Sequence, residues 1–426
     1  MKTVLFVETN SAGNGTQAML AAQAAGYRAH FLTVSPGEYE SHELNPLLVA
    51  DEVSYVDTFD VTKMLRIIDG RTDYAAVLAY DELRVVQAAL LGSYLGLRHN
   101  PPVDAMLRVR FKDRMRRALS DTRWSVRHVA LPLADISPDQ PPMQYPFVVK
   151  PLDEAASVGV RVCRDSRGFA AAVTDLRRIT ARRNSRGYQR LAEVLVEELL
   201  EGDEYSAELV WDAERADWAL IGFTAKIMSS EPSCIEAGYV FPHWFGNGID
   251  DRIADELRGC LDHLGLRDTM VHVEFRYSAG RVRLIEINPR PAGGAIPQLV
   301  SQVASKGLVE LHLAAHLGDA RRSLADLSLT GYAGALFIVP DRAGTVVRLE
   351  PSLREIDGVV SFKPGKFPRI VEAGRSNEDR LGHIVIRTET RLGLESVMRH
   401  ARRRIKPLYE DPEPEIASLA ATGAQR

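Results

Sequence analysis

Apolar and polar positions along this chain follow two periods. TVLFVETN (3–10) is a short apolar run closed by polar residues, TQAMLAAQAAG (16–26) has a helical texture, and AHFLTVS (29–35) is a second apolar run. YAAVLAY (74–80) and the helical RVVQAALLGSYLG (84–96) continue the alternation, which predicts an α/β region with a boundary at HNPP (99–102). From about 103 the texture changes to a basic helix over 105–120, then to strand-rich segments with short helices up to about 300. Pro132, Pro138, Pro141, Pro142 and Pro146 mark irregular connections before the strand FVVKP (147–151). A third region begins near Gly331, with AGALFIVP, TVVRLE and GHIVIRT as strands and LESVMRHARRRI as a helix. The last residues, 413–426, read as a flexible tail.

The most informative pattern is TMVHVEFRYSAGRVRLIEINPR (269–290), which predicts two strands joined at SAG. With Tyr277 facing Arg281, Glu274 lies opposite Leu284 and His272 opposite Glu286. Residues two apart share a face, so His272, Glu274, Glu286 and Asn288 project to one side. Two carboxylates close together on a sheltered face repel unless a cation lies between them. Glu, Glu and Asn offer only oxygen ligands, a set suited to Mg²⁺ or Mn²⁺ and poor for zinc. In the competing arrangement these side chains are solvated and Val271, Val273, Phe275, Ile285 and Ile287 form the single buried face. A slip of one residue would separate the carboxylates.

A metal shared with phosphates calls for further cations upstream. Lys112 lies near a helix start in FKDRMRRAL, and Lys150 ends the apolar strand FVVKP, where a lysine implies an anionic partner. Asp153 to Gly159 is small and polar, suited to a mobile flap whose backbone N–H groups and Ser157 cover phosphates. EVLVEELLEGDEYSAELVW (193–211) reads as a strand, a turn around Gly202 and a returning strand. Glu197, the backbone from Glu198 to Leu200, and Glu204 can supply the carbonyl, N–H and hydroxyl acceptor that an adenosine slot needs.

Composition narrows the class. With 426 residues the chain exceeds one ordinary core, and 45% apolar with 26% charged residues is the mix of a globular protein. A formal net charge of -4 argues against a general nucleic-acid binder, although arginines cluster at 108–117, 177–190 and 399–406. Cys163, Cys234 and Cys260 form neither a disulfide framework nor a CxxC motif. The N-terminus shows no signal peptide and no apolar run is long enough to cross a bilayer, so a cytoplasmic protein without membrane attachment is expected. Gly13, Gly15 and Ala18 match GxGxxA, but LTVSP carries no acidic residue where a dinucleotide site wants one, which favours a tight strand-to-helix turn.

The order Lys112, Lys150, Glu197, Glu204, Glu274, Glu286, Asn288, Arg290, with HVEFR and LIEINPRPAGG as its most specific parts, resembles the ATP-grasp superfamily, and within it the carboxylate-amine ligases that include bacterial L-amino acid ligases. The resemblance implies an α/β (α+β) fold: a Rossmann-like pre-ATP-grasp region at 1–102, an ATP-grasp region at 103–330 and a C-terminal β-rich segment at 331–412. It implies that Lys112 and Lys150 bind the α- and β-phosphates of ATP, with Ser157 and Gly159 in the loop that closes over them. Glu197, Glu198 and Leu200 would hold adenine and Glu204 the ribose. Glu274, Glu286 and Asn288 would carry Mg²⁺ (or Mn²⁺), and Arg290 would steady an acyl phosphate.

CIEAGYVFPHWFGNG (234–248) is similar to the family's substrate-facing segment. Glu236 is then a contact for an α-ammonium, His243 or Trp244 a wall of a side-chain pocket, and Gly293 and Gly294 leave room for substrate beside the backbone. His272 reads as support for Glu286 or as a base. The implied reaction joins a small carboxylate, an amino acid or a relative, to an amine with release of ADP. A carrier-protein thiol as acceptor, or bicarbonate as carboxylate, would share every ATP residue named. A homodimer is the family's common assembly.

Overall fold

The structure, a computed structural model, describes residues 1–10, 13–40, 44–181, 192–229, 234–349, 351–371 and 376–410. The expected tail and part of the 177–190 arginine cluster lie outside these residues. Strands β1 (Thr3–Val7), β2 (Arg28–Thr33), β3 (Glu52–Tyr55) and β4 (Tyr74–Leu78) form a parallel sheet in the order β3-β2-β1-β4. All five residues of β1 are buried because helices cover both faces. Leu5 and Val7 pack with Met64, Val85 and Ala105, whereas Val4 and Phe6 pack with Ala18, Met19 and Leu313. Gly15 permits the tight turn after β1, since a Cβ there would lie 2.4 Å from Thr9 Oγ1.

The expected basic helix over 105–120 is two helices, Val103–Arg110 and Lys112–Ala118, broken at the extended residue Phe111. Beyond them, β5 (His128–Pro132), β6 (Phe147–Pro151), β7 (Arg161–Cys163) and β8 (Glu193–Glu198) make a second, antiparallel sheet ordered β5-β8-β6-β7, backed by the helix Ser166–Thr180. Phe147, Val149, Phe169 and Leu176 fill that interface.

The largest sheet holds β9 (Asp203–Asp212), β10 (Asp217–Met228), β11 (Glu236–His243), β12 (Met270–Ser278), β13 (Arg281–Asn288), β14 (Tyr332–Phe337), β16 (Val359–Pro364) and β18 (Gly382–Thr388). Its order is β13-β12-β9-β10-β11-β14-β18-β16, so strands beyond residue 331 continue the same sheet. A small sheet of β15 (Gly344–Leu349), β17 (Arg369–Val371) and β19 (Pro407–Tyr409) completes the C-terminal part. Among the described residues no helix is long and apolar enough to cross a membrane.

Two further expectations change. The run 193–211 is not a returning hairpin: β8 lies in the second sheet and β9 in the large one, so 199–202 cross from one to the other. The β12/β13 register also differs from the expected one. Ser278 faces Arg281 across a two-residue turn at Ala279 and Gly280, both at positive φ (49° and 75°). A bulge then inserts Ile285 between the pairs Phe275–Leu284 and Glu274–Glu286, and His272 faces Asn288. The turn shifts the register by one residue and the bulge by one more. Two shifts restore the parity, so the four polar side chains still share a face.

Candidate active site

Alternation in register builds the site. On β9 Glu204, Ser206 and Glu208 point one way; opposite them on β12 stand Arg276, Glu274 and His272. Thr224 pairs with Ser206 on the other side, and Lys226 follows two residues later. Glu286 and Asn288 extend this face on β13, and Glu236 extends it on β11. The reverse face carries Ala207, Leu209, Val271, Val273, Phe275, Leu284 and Ile287 into the main core. The polar face lines a cleft closed on the other side by β6, β8 and the loop 153–159. Ile285, expected among the buried residues, is the bulge residue and lines this cleft.

At one end of the cleft lie Lys112, Lys150 and Glu197. Lys150 Nζ is 2.5 Å from Glu197 Oε2, and Arg116, which no sequence motif marks, holds the other carboxylate oxygen while donating to Ile285 O at 3.0 Å. Burial favours the protonated Glu197, but Arg116 and Lys150 outweigh it and hold its pKa down at about 2. Glu197, expected to hold adenine, is therefore committed to two cations. Glu198 turns its carboxylate to Arg127 and Arg283 and donates its N–H to Arg127 O at 3.0 Å, and Leu200 O accepts from Arg276 at 2.8 Å. Lys112 Nζ donates to Glu154 O at 2.7 Å and stands 3.5 Å from Glu286.

The other end centres on Lys226, a buried residue that the sequence alone does not single out. Its ammonium lies 2.7 Å from Glu274, 2.8 Å from Glu236 and 3.4 Å from Glu204. Burial opposes that charge, but the three carboxylates raise the lysine pKa well above its usual value. Glu204, expected at the ribose, also meets Arg276 at 3.5 Å; burial pushes its carboxyl up. Glu236 receives Arg380 at 2.6 Å, Asn377 Nδ2 at 2.9 Å and the Tyr239 hydroxyl. Despite burial, Lys226 and Arg380 hold Glu236 down at about 2. An α-ammonium reaching Glu236 would meet a carboxylate already engaged by four donors.

His272 does not touch Glu286 as expected. Its ring nitrogens lie 2.7 Å from Glu208 and 3.0 Å from Glu274, and although burial opposes charging, these carboxylates raise its pKa to about 9. The ring is an imidazolium at neutral pH and so is no base there.

Arg290 Nε donates to Glu82 at 2.6 Å, a residue that follows β4 in the N-terminal sheet. With its amide nitrogen turned toward the acids, Asn288 reaches Glu82 at 2.9 Å and Glu286 at 3.1 Å. Among the described residues no group of three His, Cys, Asp or Glu side chains is placed to hold a metal ion. The expected set is two carboxylates and an amide. Of these, Glu286 and Asn288 fit a hard cation through the chemistry of their oxygens, whereas Glu274 is already neutralised by Lys226 and His272.

The loop 153–159 is tied at its start and at its middle. Arg110 donates to Asp153 O at 2.9 Å; Asn377 N donates to Ala156 O at 3.3 Å, and Asn377 Nδ2 lies 3.5 Å from Ser157 Oγ. Ala156 and Ser157 both hold positive φ, 56° and 57°. Ser157, Gly293 and Gly294 line the cleft. Gly159 and His243 are outside it. Gly159 faces Leu176 and Pro151, and His243 packs against Tyr205 and Phe245, with burial and Arg391 lowering its pKa to about 4. Trp244 is exposed.

Residues 143–298 match the ATP-grasp domain. The chain is 28% identical to dapdiamide A synthase of Enterobacter agglomerans over 226 residues, 51% of each protein, and 29% identical to an uncharacterised protein of Sinorhizobium fredii over 260 residues, 60% of this chain and 52% of that one. It spans about half the length of the curated relatives it matches. The fold is that of the L-amino acid ligase from Bacillus licheniformis, with a TM-score of 0.78 and 17% identity over 96% of this chain and 99% of that one. Phosphoribosylglycinamide synthetase from Anaerococcus prevotii gives 0.66 and 16%, over 96% and 100%.

Proposed function

We propose that this protein, whose central region belongs to the ATP-grasp superfamily, is an ATP-dependent, ADP-forming ligase that joins a small carboxylate, an amino acid or a close relative, to an amine. The observation that carries the reading is a single polar cleft. Glu286 and Asn288 on the large sheet line one wall, Lys112 from its helix and Lys150 from β6 line the other, and Arg290 beside Glu82 follows β13.

In this reading the triphosphate lies against Lys112 and Lys150, with the crossing backbone of Glu198 to Leu200 beside the adenine. Glu286 and Asn288 would hold Mg²⁺ or Mn²⁺, which would offset charge on the transferring phosphoryl group. The substrate carboxylate takes the γ-phosphoryl group to give an acyl phosphate and ADP. The amine then attacks the acyl carbon and phosphate leaves. Arg290, its Nε held by Glu82, presents its remaining N–H donors to the developing oxyanion. The loop 153–159 excludes water, which would hydrolyse the acyl phosphate. His272, being charged, orients Glu274 and takes no proton from the amine. Two chains acting as a dimer accord with this reading.

Mass spectrometry of nucleotide and products after incubation with ATP, magnesium and pooled amino acids tests the proposal. ADP with a new mass equal to two components less one water supports it; AMP release defeats it. Arg290→Ala should lower turnover by about 10²–10³-fold with nucleotide affinity retained.

A further inference from the structure

A second cavity of about 900 Å³ opens on the side of the molecule where three regions meet: the helix Asn14–Ala24, the helix Ile296–Val303 with the chain that follows it, and strands β16 and β18. Gly294 belongs to both this groove and the active-site cleft. It lies four residues beyond Arg290 and is exposed, without a side chain to thicken the wall.

The groove has mixed walls. Gln17, Gln298, Ser301, Lys363 and His383 line it together with Glu310 and the apolar Leu20, Pro297 and Leu308. Gln298 Oε1 lies 3.3 Å from His383 Nε2, and burial, with Lys363 and Arg380 nearby, lowers that histidine to about 4, so Lys363 is the cation of this wall at neutral pH. Asn14, a lining residue only 3% exposed, leaves Nδ2 without a hydrogen-bond partner.

A ligase that makes a water-sensitive intermediate must keep water from it. The nucleotide side is covered by the loop 153–159. A nucleophile that enters after the acyl phosphate has formed reaches the acyl carbon without disturbing that loop only if it comes from elsewhere. The groove ends at the right place, and its volume is at the upper end of the about 300–1,000 Å³ of pockets that hold drug-sized ligands.

We infer that this groove is the acceptor site, and that it takes an extended polar amine larger than one amino acid, peptide-like, with its amine at Gly294 and a carboxylate toward Lys363. The inference rests on the ligase reading above.

Triglycine and its C-terminal amide serve as probes, with the full chain and a non-hydrolysable ATP analogue. Ligand-detected NMR should show triglycine bound to wild type, bound at least about tenfold more weakly to Ser301→Trp, and no longer preferred over its amide by Lys363→Glu. In turnover, Ser301→Trp should raise the KM for the peptide acceptor by a similar factor while nucleotide affinity, read at the far end of the cleft, stays the same. Both substitutions are at exposed positions, and matching melting temperatures establish that the variants fold. Equal triglycine binding by wild type and both variants, or no binding to wild type, overturns the inference. A chain that binds triglycine in the groove yet forms no ADP with any donor would instead overturn the ligase reading and leave the groove standing.

Discussion

The two ends of the cleft solve the problem of buried charge differently. At the Lys150 end three cations, Lys112, Arg116 and Lys150, face two carboxylates, Glu197 and Glu286. Positive charge is left over, and the cleft opens beside it. At the Lys226 end the carboxylates Glu204, Glu236 and Glu274 are met by Lys226, Arg276, Arg380 and His272, and Glu208 completes the set by pairing with His272. Four cations and four anions close on one another. Under the proposed function a polyanion would complete the first end, whereas the second is neutralised within itself and holds side chains in place. The same residue type, a buried lysine on a strand, stands beside surplus positive charge in one place and is shared by three carboxylates in the other.

That contrast breaks hardest at Lys226. Lys226→Ala leaves three buried carboxylates short of their shared cation, and breaking a buried pair costs about 3–5 kcal/mol. Chemical denaturation should show a loss of that order, and a wild-type midpoint would refute the scaffold role. His272 belongs to the same network with a sign of its own. Its folded pKa is raised from 6.5 to about 9, so its contribution is complete below pH 6.5 and fades as pH rises through about 9. It should reach at most about 3–4 kcal/mol, since each tenfold gain in proton affinity is worth about 1.4 kcal/mol. Melting curves of wild type and His272→Gln should converge above about pH 9, and a gap that does not change with pH would mean that folding leaves the histidine's pKa where it was.

Lys150→Ala should act on the ligand more than on the fold. Glu197 keeps Arg116 when Lys150 is removed, so no carboxylate is stranded. A lost charge-assisted hydrogen bond is worth about 1.5–3 kcal/mol, which predicts roughly 10- to 100-fold weaker nucleotide binding. Isothermal titration reads it directly, and unchanged affinity would remove Lys150 from the phosphate site.

The first end is legible in the sequence and the second largely is not, for physical reasons. Lys150 ends an apolar strand, and the alternation around Glu274 and Glu286 survives an error in register because turn and bulge each add one residue. Lys226 has meaning only once β9, β10, β11 and β12 are ordered side by side, and sequence does not order strands. A signal is present: Glu204, Ser206 and Glu208 alternate, as do Thr224 and Lys226, in runs otherwise apolar. Asn377 and Arg380 approach Glu236 from 141 and 144 residues away, and no local pattern marks them. Glu197 stands out in the sequence, but its commitment to Arg116 and Lys150 depends on a helix packing against β8, which composition cannot show.

Asn377 is where the two ends meet. Its Nδ2 donates to Glu236 at 2.9 Å and its Oδ1 accepts from Glu236 N at 3.0 Å and Arg380 at 2.8 Å, while its own N–H holds Ala156 O. Asn377→Ala removes the side-chain bonds and spares the backbone bond, so the global cost should be about 1 kcal/mol, the smallest of these effects. The local cost falls on the loop, where Ala156 and Ser157 keep a left-handed backbone that non-glycine residues adopt only when neighbours impose it. Hydrogen exchange at 153–159 should therefore quicken in Asn377→Ala while the strands of the large sheet keep wild-type protection. More ADP should also be released for each amide formed, because a loosened loop admits water to the acyl phosphate. Unchanged exchange in that loop would show that the ends of the cleft are independent, with Glu236 and its partners serving the fold alone.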